Sequence, residues 1–106
     1  MRVLFDQGTP VPLRDSLPQH EVSTAFERGW SALKNGDLLD AAEREGFAVL
    51  VTTDTKLKFQ QNLTARRVAI VVLLTTSWPR IERASAEVAK AIGAATPGSY
   101  TEVSIP

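Results

Sequence analysis

The chain has 106 residues, of which 43% are hydrophobic and 23% charged, and its formal net charge is zero. This composition is typical of one globular domain with a modest core, expected over residues 1–106, and argues against a protein whose main task is to coat nucleic acid. The chain has no cysteine, which excludes disulfides and thiolate metal sites and favours a reducing compartment.

The first half of the chain alternates apolar runs with turn-forming and helical segments. The segment "RVLFD" (2–6) predicts a strand, residues 10–17 can form a short helix that begins at a proline, and "HEVSTA" (20–25) predicts a second strand. A glycine-containing loop follows. Apolar residues at helical spacing in "LLDAAEREG" (38–46) predict a helix that Gly46 ends.

The second half continues the alternation. The segment "FAVLVTT" (47–53) predicts a buried strand, residues 55–65 a short polar helix, and "RVAIVVLLT" (67–75) a strand that is apolar on both faces. A serine cap, a proline in the first turn and a final glycine indicate one helix over 77–93. Its expected buried stripe is Ile81, Ala84, Val88 and Ile92. Residues 100–105 alternate like an edge strand.

Strands and helices therefore alternate along the whole chain. Near-continuous apolar strands that alternate with helices are typical of a parallel sheet covered by helices on both faces. We predict an α/β fold, namely a three-layer α/β/α sandwich around a mostly parallel sheet of about five strands.

Several classes of protein are excluded or disfavoured by the same sequence. The longest apolar run, from Val68 to Leu74, is too short to cross a bilayer, and "RVLF" lacks the long apolar core of a signal peptide. We therefore expect a cytoplasmic protein without a membrane partner. The segment "DQGTPVP" after the first strand lacks a glycine-rich phosphate loop, so no nucleotide cofactor is expected. The only histidine, His20, lies at the opposite strand end, which disfavours a catalytic triad.

Three aspartates lie where ligands usually bind in an open parallel sheet, beyond the carboxyl ends of the strands. Asp6 ends the first strand, Asp54 follows the third, and Asp37 opens the helix after the second. We expect these carboxylates to converge at one edge. Clustered carboxylates repel one another unless a cation intervenes, and oxygen ligands suit Mg²⁺ or Mn²⁺. Such an ion can promote the hydrolysis of a phosphodiester.

A simpler explanation is available for two of these acids. An aspartate at the start of a helix can cap it, which is worth ~1 kcal/mol, and Asp37 and Asp54 both precede predicted helices. Asp6 is harder to explain in this way, because a carboxylate directly after a central apolar strand is costly unless it is paired or functional.

Lysines and amides surround the predicted acidic edge. Residues 1–53 hold 5 basic and 8 acidic side chains, whereas residues 54–106 hold 7 and 4. Basic and amide side chains of this kind can hold a phosphate backbone, although a solvated helix face explains the adjacent amides equally well. The candidates for holding such a backbone are Lys34, Lys56, Lys58, Gln60, Gln61 and Asn62.

Four blocks of the sequence together resemble a known family. They are "RVLFDQGTP", "GWSALKNGDLLDAAEREGF", "VLVTTDTKLKFQQNL" and "RRVAIVVL". Their order and spacing resemble the PIN-like domains, specifically the small bacterial type called domain of unknown function 5615, often considered alongside toxin–antitoxin modules. The resemblance implies an α/β/α sandwich and a metal-dependent ribonuclease with Asp6, Asp37 and Asp54 in its acidic site. It also implies RNA as substrate and a cognate antitoxin protein as partner.

Two positions depart from the pattern of many such sequences. Gln7 and Lys56 stand where an acid often follows the aspartates of the first and third strands. This favours one metal ion over two, because less negative charge is present. It also motivates an alternative, in which the fold is kept, catalysis is lost, and the domain is a binding or assembly module. The edge strand at 100–105 and Ile105 would then join a homodimer.

Overall fold

The computed structural model describes residues 1–106, and at its centre is a sheet of five parallel strands. Their spatial order is β2-β1-β3-β4-β5. The inner strands β1, β3 and β4 are buried on both faces, which explains why their sequences are continuously apolar. The strands are β1 Arg2–Phe5, β2 Glu21–Thr24, β3 Val49–Thr52, β4 Ala69–Leu73 and β5 Tyr100–Val103.

Helices cover both faces of this sheet. They are a 3-10 helix Val11–Ser16, α1 Asn35–Arg44, α2 Leu57–Gln60, α3 Trp78–Arg83 and α4 Ser85–Gly93. One apolar cluster joins Val3 and Phe5 of β1 to the 3-10 helix, α3 and α4. A second joins Leu4, on the opposite face of the same strand, to α1 and α2. The predicted α/β sandwich is confirmed, since side chains alternate between two separate cores.

The helix α1 is attached to the start of β4 by one carboxylate. Glu43 Oε2 accepts hydrogen bonds from the backbone N–H groups of Arg67 (2.6 Å) and Val68 (3.3 Å), and Glu43 Oε1 lies 2.9 Å from Arg66 Nη1. Asp40 Oδ1 lies 2.6 Å from the same guanidinium nitrogen. Gly46, at φ 77°, then ends the helical segment as its position predicts.

Two predicted helices differ from the observed ones. The segment 77–93 is divided at Ala84, whose N–H bonds to both Arg80 O and Ile81 O, so that α3 closes with a tight 3-10 turn before α4 begins. The expected buried stripe is nonetheless confirmed on both pieces. The segment 55–65 is helical only over α2, because Asn62 Oδ1 bonds to the backbone N–H of Thr64 and so competes with further helix.

The edge strand β5 is confirmed at one side of the sheet. However, Ile105 is only 5% exposed and packs in the core of its own chain, so the expectation that it faces a partner is wrong. None of the helices is long and apolar enough to cross a membrane.

Candidate functional site

The strand order has a switch point between β1 and β3. The connection that follows β1 leads to β2 on one side, and the connection that follows β3 leads to β4 on the other side. The two connections therefore diverge beyond the carboxyl ends of β1 and β3. Ligands of open α/β sheets bind at such a switch point. Asp6 directly follows β1 and Asp54 comes two residues after β3, so both residues lie beside this switch point.

Asp6 is held tightly in a partly buried position. Its Oδ1 accepts hydrogen bonds from Thr9 Oγ1 (2.8 Å) and Gly8 N (3.2 Å), and its Oδ2 accepts one from Thr52 Oγ1. Burial raises the pKa of the Asp6 carboxyl above its ordinary value, and these hydrogen bonds only partly offset the effect. The fold thus positions an acid whose charged form is disfavoured.

Thr52 joins the two aspartates. Its hydroxyl donates to Asp6 and accepts a hydrogen bond from the backbone N–H of Asp54 at 3.0 Å. Thr52, the last residue of β3, is only 1% exposed. The other buried polar residues of the chain are Thr24, the last residue of β2, and Thr9, which follows the end of β1. Buried polar groups therefore concentrate at the predicted edge.

Asp54 is oriented by its neighbours on both sides. Its Oδ2 accepts a hydrogen bond from Asn35 Nδ2 at 2.9 Å, and its Oδ1 accepts one from the backbone N–H of Lys56 at 2.9 Å. The second contact is an Asx turn before α2, and Asp54 does not cap this helix, because its N-cap residue is Lys56. The hydrogen bond from Asn35 ties Asp54 to the start of α1. A continuous hydrogen-bonded chain thus runs Asn35–Asp54–Thr52–Asp6.

Asp37 stands apart from this chain. It lies in the first turn of α1, where its side chain is exposed, and Lys34 rather than Asp37 is the N-cap residue. The helix start does face the same edge, as Asn35 shows through its bond to Asp54. No group of three or more acidic or histidine side chains is close enough to share a metal ion. The acidic pair is therefore Asp6 and Asp54, which Thr52 links through the Asp6 carboxylate and the Asp54 backbone, and Asp37 takes no part in this hydrogen-bonded chain.

The predicted RNA-binding residues divide into two groups. Lys34 and Lys56 are exposed at the N-caps of α1 and α2, beside the Asn35–Asp54 bond, and Gln60 Oε1 accepts a hydrogen bond from Asn35 at 3.2 Å. Gln61 also lies here, because a side chain at Gly36 would come within 3.1 Å of its Oε1.

The remaining two candidates already have partners. Lys58 Nζ forms an ion pair with Glu102 at 2.9 Å, and Asn62 bonds to the backbone and hydroxyl of Thr64. The group near the acidic pair is therefore Lys34, Lys56, Gln60 and Gln61.

The donor set of the edge suits one hard cation. Mg²⁺ is typically held by one or two carboxylates, keeps several waters and takes an oxygen of the substrate phosphate. Asp6 and Asp54 provide two such carboxylates, and every hydrogen bond they accept comes from a neutral donor. The pair does not suit two closely spaced metal ions, which need more carboxylate ligands.

Three contributors to this edge were not identified from sequence. Asn35 precedes the helix predicted for 38–46, and neither Thr9 nor Thr52 is among the predicted site residues. The pattern Thr-Thr-Asp after an apolar strand is a weak signal for Thr52, because a hydroxyl at a strand end can reach the neighbouring strand. Asn35 and Thr9 show no such signal.

His20 and Trp30 take no part in the contacts of the acidic edge. His20 precedes β2 at the amino edge of the sheet, opposite the acidic pair. Trp30 packs edge-on against Phe47 with ring centroids 6.0 Å apart, and the guanidinium of Arg28 lies 4.9 Å from its ring. These contacts account for Trp30 without a ligand.

Comparison with models of protein families, with curated proteins and with solved structures gave no match to this chain.

Proposed function

We propose that the protein is a cytoplasmic, metal-dependent ribonuclease of PIN-like type, in which Asp6 and Asp54 hold Mg²⁺ or Mn²⁺. The observation that supports this best is the hydrogen-bonded chain from Asn35 to Asp6, which fixes two carboxylates at the switch point of the sheet. The five ion pairs of the structure all lie elsewhere, so no basic side chain neutralises this pair.

The metal ion and the residues around it would have separate roles in the reaction. When bound, the metal ion supplies Lewis-acid stabilisation of charge on a scissile phosphate. Thr52 fixes the Asp6 carboxylate and the Asp54 backbone, and Asn35 fixes the Asp54 side chain. Lys34 and Lys56 would hold phosphates of the RNA backbone without reading its sequence.

The family assignment belongs to the same proposal. The resemblance to PIN-like domains would supply Asp37 as a third acid, and its position in the first turn of α1, two residues after Asn35, supports this role. By the same resemblance, the chain would be the toxin of a toxin–antitoxin pair, controlled by a cognate antitoxin.

An RNA cleavage assay tests the proposal. Purified protein would be incubated with single-stranded RNA and Mn²⁺, beside Asp6→Asn and Asp54→Asn variants. Loss of one metal-binding carboxylate is expected to lower the rate at least about 100-fold. The matched control is Asp40→Asn, which removes a carboxylate at the opposite edge and should retain the rate. Equal cleavage by wild type and both site variants would indicate a contaminating nuclease and would reject the catalytic proposal.

A second function is favoured by a specific observation. Gln7 and Lys56 replace acids that the resemblance leads one to expect, and the structure gathers no three-acid group. A binding or assembly module would follow if the protein binds RNA or a protein partner but never cleaves. Binding with equal affinity in wild type and the Asp6→Asn/Asp54→Asn variant, without cleavage by either, would favour this function over the enzyme.

A further inference from the structure

A cleft opens on the other side of Asp6, toward β2 and away from Asp54. It has a volume of about 390 Å³ and lies between the ends of β1 and β2 and the 3-10 helix. Asp6 lines both this cleft and the acidic edge, so the two surfaces are continuous. A volume in this range fits a small ligand of about the size of a nucleoside.

The cleft exposes two large apolar side chains. Phe26 is 77% exposed and Val11 is 52% exposed, and both line the cleft. A phenylalanine gains free energy when its ring leaves water, and an aromatic face accepts a stacked base of any identity. The exposed ring of Phe26 therefore offers a stacking surface in the cleft that Asp6 also lines.

Phe26 is exposed on a well-fixed turn. Thr24 and Glu27 hydrogen-bond each other reciprocally, as in a capping box, with distances of 3.0 and 3.1 Å. Gly29 at φ 76° closes the turn, and the backbone N–H of Trp30 reaches Ala25 O at 2.8 Å. A turn whose backbone is fixed in this way loses little conformational freedom when a ligand binds.

The charges of the cleft favour a neutral ligand over an anion. Asp6 and Glu27 contribute two carboxylates, whereas Arg14 is the only basic residue of the lining, and its Nη2 already pairs with Glu27 Oε1 at 2.9 Å. A phosphate in the cleft would be repelled. The exposed amide of Gln7 can both donate to and accept from the edge of a neutral heterocycle.

We propose that this cleft binds one base of a single-stranded RNA substrate, stacked on Phe26, beside the phosphate held at the edge between β1 and β3. The inference rests on the proposed ribonuclease function, because Asp6 belongs to both surfaces. It adds a binding subsite to that function and identifies Phe26 as the residue that positions the nucleotide next to the scissile bond.

The test uses neutral nucleosides, so that binding does not depend on a metal ion. Adenosine, guanosine, cytidine and uridine would be titrated into isotope-labelled protein without divalent cations, and amide resonances followed by NMR. At least one nucleoside should bind saturably and shift the amides of Gln7, Phe26 and Glu27. Phe26→Ala should weaken this binding roughly 5- to 100-fold, the effect of losing one base–aromatic stack, and Phe26→Trp should retain it.

Phe59 provides a matched control. It is 79% exposed on α2 and does not line the cleft, so Phe59→Ala should leave nucleoside binding unchanged. Because both rings are exposed, both alanine variants should fold, which circular dichroism would verify. Equal weakening by the two substitutions, or no saturable binding of any nucleoside, would overturn the inference.

The two proposals fail in different ways. Nucleoside binding that depends on Phe26, without RNA cleavage, would reject the ribonuclease and keep the base-binding cleft. Metal-dependent cleavage with an unchanged KM in Phe26→Ala would keep the ribonuclease and reject the cleft.

Discussion

Asp6 shows how far a single residue can be interpreted from sequence. Its position directly after "VLF" predicts a carboxylate at the end of a central strand, and β1 does have neighbours on both sides. Its hydrogen-bond partner Thr52 lies 46 positions away in sequence. Such a contact depends on how strands pair, which local patterns do not specify.

Replacing Asp6 by asparagine should stabilise the protein at neutral pH. Burial raises the pKa of Asp6, so its contribution to stability is fully present only below the unfolded pKa and is lost as the pH rises through the folded pKa. Asparagine has no charge to bury. We expect the free energy of unfolding to rise by roughly 0.5–2 kcal/mol at pH 7, and by less at pH 4.

Urea denaturation at both pH values measures this effect. Asp37→Asn is the control, because Asp37 is exposed in the first turn of α1 and its replacement should change little. A denaturation midpoint of Asp6→Asn below that of wild type at pH 7 would show that the hydrogen bonds to the charged carboxylate outweigh its burial.

At the scale of elements, apolar periodicity predicted the five strands and the buried face of the last helical segment. It gave no sign of the break at Ala84, since Ile81, Ala84, Val88 and Ile92 keep helical spacing across the break. The attachment of α1 to β4 was also not predicted. Glu43 belongs to the polar face of its helix, and nothing in that pattern indicates that it binds the backbone of another segment.

Glu43→Gln should therefore destabilise the fold without affecting the acidic edge. Burial alone would raise the pKa of Glu43, but hydrogen bonds from the backbone of Arg67 and Val68 and from Arg66 outweigh it and lower the pKa. The stabilisation is present above the unfolded pKa and is lost as the pH falls through the folded pKa. We expect a loss of roughly 1–2 kcal/mol at pH 7 that shrinks in acid, measured by urea denaturation. A variant as stable as wild type at pH 7 would contradict this account.

At the scale of the whole molecule, the alternation of strands and helices predicted the layers but not the strand order. The order β2-β1-β3-β4-β5 places the switch point between Asp6 and Asp54 and so decides which acids meet. Several of the basic residues that follow Asp54 in sequence form ion pairs or hydrogen bonds within the fold. Lys58 pairs with Glu102, Arg66 with Asp40 and Glu43, and Arg80 bonds to the carbonyl groups of Ile105 and Pro106.

Lys56 is exposed at the N-cap of α2 beside Asp54, and in the proposed function it contacts the RNA backbone. Replacing Lys56 by glutamine should weaken RNA binding for all sequences alike and reduce the salt dependence by the equivalent of about one phosphate contact. Fluorescence anisotropy over a range of salt concentrations measures both quantities. Lys90→Gln on α4, a helix on the face opposite α1 and α2, is the control. An identical salt dependence in wild type and Lys56→Gln would remove Lys56 from the RNA-binding surface.

The claim that Asp6 and Asp54 form a cation site is tested most directly by titrating the labelled protein with Mn²⁺, whose paramagnetism broadens nearby amide resonances. We expect the amides of Gly8, Thr9, Thr53 and Asp54 to broaden first. This broadening should disappear in the Asp6→Asn/Asp54→Asn variant. Broadening that centres on Asp40 and Glu43 at the opposite edge, or that is unchanged in the variant, would contradict it.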